Sequence, residues 1–202
     1  MPSELHECAE EWLREMIVDA RMQGIIPQGW RGTMQISHSA EYNNFIGKYT
    51  GSVKEADLTF VPLVGPDWAK KAKFPSVVLE SGWSESAVQL VRDARLWQGG
   101  SGREVRVVLQ VKFYRPDQQK QIRLVLSITR ARPGGHPTPV EDYVILPAPE
   151  DPKPNPSISL DEFYAGDCPP TMDPEIRVPL DLARLRVVAA QEIREGGNMP
   201  AE

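Results

Sequence analysis

The sequence predicts an α/β (α+β) fold, a mixed central sheet flanked by helices, on the strength of three observations. The chain opens on a long amphipathic helix pattern. The apolar run Phe74–Ser81 is joined through a second helical pattern to the alternating run Glu104–Phe113, and further strand-like runs lie on both sides of that unit. With 202 residues, 41% of them hydrophobic and 25% charged, the chain fits one domain, residues 1–202, able to bury a core without disulfide or metal staples.

Residues 3–22 read as a helix because Leu5, Cys8, Ala9, Trp12, Leu13, Met16, Ile17 and Ala20 recur at steps of three and four, which gathers them on one face. Ser3 suits the N-cap, acids fill the first turn, and Gly24 ends the helix. Thr33–His38, Phe45–Thr50 and Ala56–Pro62 are short β-rich runs parted by Asn43-Asn44 and Gly51-Ser52. Residues 63–74 form a loop. Val77-Val78-Leu79 has no polar alternation, as in a strand buried on both faces of a parallel sheet. Ser84–Gln98 follows as a helix with Ala87, Leu90, Val91, Ala94 and Trp97 on one face, Ser84 or Ser86 as its cap, and Gly99-Gly100-Ser101-Gly102 as its end. A strand–helix–strand crossover makes the strands at 76–81 and 104–113 parallel. Gln121–Arg130 and Val140–Leu146 are further strands.

Residues 133–179 hold 12 of the 19 prolines, too many for regular elements beyond the strand near 140–146. This acidic stretch reads as a loop that wraps the domain through Ile158, Leu160, Phe163 and Tyr164. A C-terminal helix is expected over 180–195, with the last half-dozen residues disordered.

Composition narrows the function classes. No apolar run reaches the roughly 18 residues of a membrane span. The acidic N-terminus lacks a signal-peptide pattern, and Cys8 and Cys168 read as free thiols, so an intracellular protein of cytoplasm or nucleus is expected. No CxxC or Cys/His cluster offers a structural zinc site. The net charge of −5 is unevenly spread. Residues 90–135 carry ten Lys and Arg against three acids, a net +7, whereas 141–175 carry nine acids against Lys153, a net −8. The basic stretch can meet phosphates, or the acidic segment can fold over it.

Two acids sit where acids are costly. Asp57 lies in the strand-like run Lys54–Phe60, and Glu80 ends the apolar run Pro75–Leu79. A carboxylate at the end of a buried strand must be paired, hydrated or bound to a cation. Two on neighbouring strands make a hard, oxygen-only site suited to Mg²⁺ or Mn²⁺. Local alternatives are an ion pair of Asp57 with Lys54 or Lys48, and acceptance by Glu80 of N–H groups at the following helix.

Asp57 on one strand, an apolar strand ending in Glu80, then a helix and a strand, resembles the PD-(D/E)XK superfamily of restriction-endonuclease-like nucleases over roughly residues 1–130. The stretch Pro75–Ser86, followed by Asp93-Ala-Arg-Leu-Trp97, is also similar to uncharacterised fungal proteins with this nuclease-like fold. The resemblance implies a restriction-endonuclease-like domain that hydrolyses DNA or RNA, with Asp57 and Glu80 holding Mg²⁺ or Mn²⁺ and a glutamate of the first helix, Glu10 or Glu11, completing the set. Two positions depart from the motif: Ala56 replaces its proline, and Gly82 stands where its lysine is expected. Lys112, near the end of the parallel neighbour strand, is the candidate substitute, since a lysine is a compact point charge; Arg92 and Arg95 cannot act as bases. The partners expected are nucleic acid, met through the 90–135 stretch, and a second copy of the chain in a homodimer, with no membrane. Gly82 and the net negative charge favour the alternative of a catalytically inactive nuclease-like fold that binds protein or nucleic acid.

Other constellations are weaker. Ser84 and Ser86 have no evident histidine partner among His6, His38 and His136. The glycine-rich segment at 99–102 lacks the Lys-Ser/Thr of a phosphate loop. Trp83, beside Glu80, is the tryptophan placed to stack on a base.

Overall fold

The computed structural model describes residues 2–83, 87–131 and 139–202, with the backbone alone described at 2–4, 6, 87, 88 and 90. The caps at Ser3, Ser84 and Ser86 therefore lie outside what is described, as do Arg132 and His136. The elements run α1 (Pro2–Met22), α2 (Trp30–Thr33), β1 (Met34–Tyr42), a 3-10 turn (Gly47–Tyr49), β2 (Lys54–Val64), β3 (Lys70–Lys71), β4 (Val77–Trp83) and α3 (Ala87–Gly100). They continue with β5 (Val107–Phe113), β6 (Gln121–Ile122), β7 (Leu124–Arg130), β8 (Glu141–Leu146), β9 (Ser157–Ser159), α4 (Leu160–Phe163), β10 (Arg177–Pro179), α5 (Leu182–Glu195) and β11 (Met199–Pro200).

The fold is mixed α/β. A seven-stranded sheet runs β1-β2-β4-β5-β7-β8, with β3 paired to β2. Only β4 and β5 are parallel in it, joined by α3, and they pair from Val77↔Val107 to Trp83↔Phe113. Every residue of β5 is buried, which suits its position at the sheet centre. Alternation along β4 and β5 divides the core in two. Val77, Leu79, Val107, Leu109, Val111 and Phe113 face the larger cluster, where α1, α4 and α5 pack. Val78 and Val108 face the smaller one, with Trp97 and Ala94 of α3, Phe45, Ala56 and Phe74. No described helix is long and apolar enough to cross a membrane.

Several expectations are corrected. Phe45–Thr50 is not a strand: Gly47 and Gly51 adopt φ of +63° and +83°, and a 3-10 turn intervenes. Phe45 instead packs against Trp97, and the Ile46 N–H donates to the Gly100 carbonyl at 2.8 Å. The proline-rich segment does form short elements. β9 and β10 pair antiparallel, and Ser159 with Glu162 builds a capping box on α4. The C-terminal residues are ordered by β11, which pairs parallel with β6, and the Ala201 N–H donates to the Ile122 carbonyl at 3.0 Å.

α3 runs through Gly99 and Gly100 rather than ending before them, because the turn at 45–49 lies against its last residues. A Cβ on Gly100 would stand 2.8 Å from Phe45 Cδ1 and 3.2 Å from Tyr49 Cβ. Alanine gains about 1 kcal/mol over glycine in a helix, whereas overpacking costs roughly 1–3 kcal/mol. Gly100→Ala is therefore expected to lower stability by about 1 kcal/mol in urea denaturation; a stabilised variant would mean that Phe45 has room to turn away.

Candidate functional site

One cleft of about 400 Å³ opens at the C-terminal ends of β4 and β5, lined by Lys54, Glu55 and Asp57 of β2, Glu80 to Trp83 of β4, Asp93 of α3, and Val111 and Lys112 of β5. It brings together Asp57, Glu80 and Lys112. Glu11 is exposed on α1 and is not among the lining residues. Neighbouring Glu10 accepts a 2.7 Å contact from His38 Nδ1. The buried face of α1 packs in the larger cluster, across the sheet from Trp97 and α3.

Asp57 lies where β1 departs from regular strand geometry. His38 pairs with Leu58 and Ala40 with Ala56, while Ser39 between them has φ +45°. The Asp57 Oδ2 accepts hydrogen bonds from the Ser81 backbone N–H at 2.6 Å and the Ser81 hydroxyl at 2.7 Å. Glu80 is treated differently. Its side chain lies on the α3 side of the sheet, where Asp93 and Trp97 project one turn apart. The Trp97 indole N–H donates to Glu80 Oε1 at 2.8 Å. Lys54 Nζ lies 3.3 Å from the same oxygen and 3.1 Å from Asp93 Oδ2. Burial pushes the Glu80 carboxyl above its ordinary range, against the attraction of Lys54 and the Trp97 hydrogen bond. Burial also works against the Lys54 charge, but Glu80 and Asp93 outweigh it and raise the ammonium above its ordinary value.

Lys112 occupies the most telling position. Its Cα pairs with that of Gly82 across the parallel ladder. It sits on the central strand β5 rather than at a sheet edge, and the residue as a whole is 6% exposed. Its ammonium lies over the face of Tyr114, 4.6 Å from the ring centroid. Trp83 lines the cleft mouth and packs near Phe113, 6.4 Å between ring centroids.

The basic stretch is divided between structure and surface. Arg130 bonds Glu162, Glu141 and the Ser157 carbonyl, and Arg106 bonds the Ala165 carbonyl at 2.6 Å, so the acidic segment does fold onto part of it. Arg92, Arg95, Arg103, Arg115, Lys120 and Arg123 remain exposed.

The donor chemistry of the cleft fits a hard divalent cation: its acids are all carboxylates, and four of them face two lysines, an excess of two negative charges. As the side chains stand, with Lys54 between Glu80 and Asp93, no group of three or more His, Cys, Asp or Glu is arranged to hold an ion among the described residues. Sequence reasoning placed Lys54 only as a partner for Asp57 and gave Asp93 no role. The signal for Asp93 is an acid one helical turn before a buried tryptophan, on the helix that follows Glu80. No protein-family model matches the chain, and no curated protein is similar to it.

Proposed function

We propose that this cleft hydrolyses phosphodiester bonds of DNA or RNA with Mg²⁺ or Mn²⁺, as a member of the PD-(D/E)XK nuclease superfamily. The single observation that supports it most is Lys112, which sits on the central strand β5 opposite Gly82 and lines the same cleft as Asp57 and Glu80. Asp57 and Glu80 hold the cation, which when bound lowers the pKa of water and offsets charge on the phosphate. Lys112 receives a phosphoryl oxygen and stabilises the charge that develops on it. The excess of carboxylates makes the cation necessary, because the cleft alone repels a polyanion. Exposed Arg92 and Arg95 on α3 and Arg115 beyond β5 meet the nucleic-acid backbone. Glu11 has no part in this reading.

A second reading, a non-catalytic protein- or nucleic-acid-binding module, draws on Lys54, which already pairs with both Glu80 and Asp93, and on the two Ser81 hydrogen bonds to Asp57. Single- and double-stranded DNA and RNA incubated with Mg²⁺, Mn²⁺ or chelator separate the two. Metal-dependent cleavage is expected, and Asp57→Asn, Glu80→Gln and Lys112→Met should each reduce it by about 100-fold or more. Cleavage that persists in both carboxylate variants sinks the assignment; binding without turnover in any metal leaves the second reading.

A further inference from the structure

A second cavity, of about 480 Å³, lies at the same end of the sheet as the carboxylate cleft but on the opposite face, the one that α1 and α5 cover. Leu5 of α1, Ile193 of α5 and Pro116 after β5 form its apolar walls, and Arg115, Glu192 and Asn198 add polar groups. Leu5 and Ile193 belong to the larger core, so these walls are fixed by the fold. Trp83 lines both this cavity and the carboxylate cleft. It is the last residue of β4, half-buried, packed against the larger core and tilted 57° to the ring of Phe113.

The two spaces differ in chemistry. The cleft is lined by four carboxylates and two lysines, whereas the second cavity is mainly apolar with a few hydrogen-bonding groups. A ligand that passes Trp83 and occupies both has one charged part and one flat apolar part with a polar edge. One unit of a nucleic-acid strand has this division, a phosphate at one end and a base at the other. The Trp83 indole offers a face on which a base stacks. Arg115 donates, Glu192 accepts and Asn198 does both, which are the groups that a base edge requires. A base inside a duplex is paired at its edge and stacked on both faces, so it enters a cavity only by leaving the helix. A base of a single strand enters without that cost.

We infer that the cavity beyond Trp83 receives one unpaired base of a strand whose phosphate lies in the carboxylate cleft, which makes single-stranded nucleic acid the ligand class of this site. The inference rests on the proposed nuclease reading for the place of the phosphate, but not on hydrolysis.

Fluorescence anisotropy of labelled strands with the full chain tests it, in Ca²⁺, a cation that also takes oxygen ligands. Oligodeoxythymidylate or oligouridylate should bind about tenfold tighter than an abasic strand of equal length. The same single strand should bind tighter than its duplex with oligodeoxyadenylate. Trp83→Ala should remove the advantage over the abasic strand. Circular dichroism checks folding, and Pro116→Trp, at an exposed position on the cavity rim, obstructs the cavity and carries the comparison if Trp83→Ala does not fold. Equal binding of base-bearing and abasic strands, a preference for duplex, an advantage untouched by the folded variant, or no binding of any strand overturns the inference. Base-dependent binding without cleavage in Mg²⁺ or Mn²⁺ upholds it and removes the nuclease reading. Metal-dependent cleavage by a protein that binds abasic and base-bearing strands alike does the reverse.

Discussion

Trp97→Ala is expected to destabilise the protein by about 4 kcal/mol, within the range for truncating a fully buried aromatic side chain. Trp97 is 0% exposed and forms the centre of the smaller core. Its ring meets Phe45 and Tyr42 edge-on, each at 5.5 Å between centroids, and packs with Val78 and Val108. That cluster is small, so its walls have few neighbours able to collapse into the space left behind. The same truncation takes a hydrogen bond from Glu80 Oε1, leaving Lys54 to compensate a half-buried carboxylate. Trp97→Phe separates the two losses. It keeps most of the ring packing and should cost about 2 kcal/mol, chiefly for the indole N–H. Thermal melts of both variants check the ordering, at about 2–4 °C per kcal/mol for a chain of this length. If Trp97→Phe melts with the unaltered protein, the hydrogen bond to Glu80 contributes nothing to stability.

Trp12→Ala should have an effect of similar size on the other face of the sheet, again about 4 kcal/mol. Trp12 is 0% exposed in the larger core. Its indole N–H donates to the Asp181 carbonyl at 2.8 Å, and Asp181 is the N-cap of α5, accepting from the Ala183 and Arg184 N–H groups. One side chain thus packs α1 into the core and fixes the start of α5. Arg184, which reaches back to Glu15 and Asp19, cannot replace this, because exposed ion pairs contribute about 0–1 kcal/mol. Urea denaturation should show the loss of midpoint, and hydrogen exchange should show the first turn of α5 losing protection most. A loss confined to α1 would mean that the two helices are held separately.

Half of the site is legible in the sequence. Glu80 stood out because an acid at the end of Val77-Val78-Leu79 has nowhere inexpensive to go, and Lys112 because a crossover makes its strand parallel to that of Glu80. Asp93 and Lys54 were not legible as a pair. Asp93 is one charged residue in a helix that also carries exposed Arg92 and Arg95, and only the orientation of α3 turns it toward β4. Ser81 as the partner of Asp57 was equally hidden. It follows from how β2 meets β4 beside the irregular residue Ser39, and no spacing in the chain encodes that.

By itself the sequence determined the local structure where one pattern dominates. The periodic face of α1, the alternation of β5, the apolar core of β4 and the breaking power of Gly24 need no distant partner to be read. Tertiary structure decided everything whose energy lies in contacts far apart in the chain. It turned Phe45 out of a strand and under α3, it ordered the C-terminus on β6, and it drew part of a basic stretch into ion pairs with an acidic one. It also chose which charges share the cleft. Short-range preferences differ by only about 1 kcal/mol per residue, so a few long-range packing or ion-pair contacts, each of comparable or greater size, decide between them.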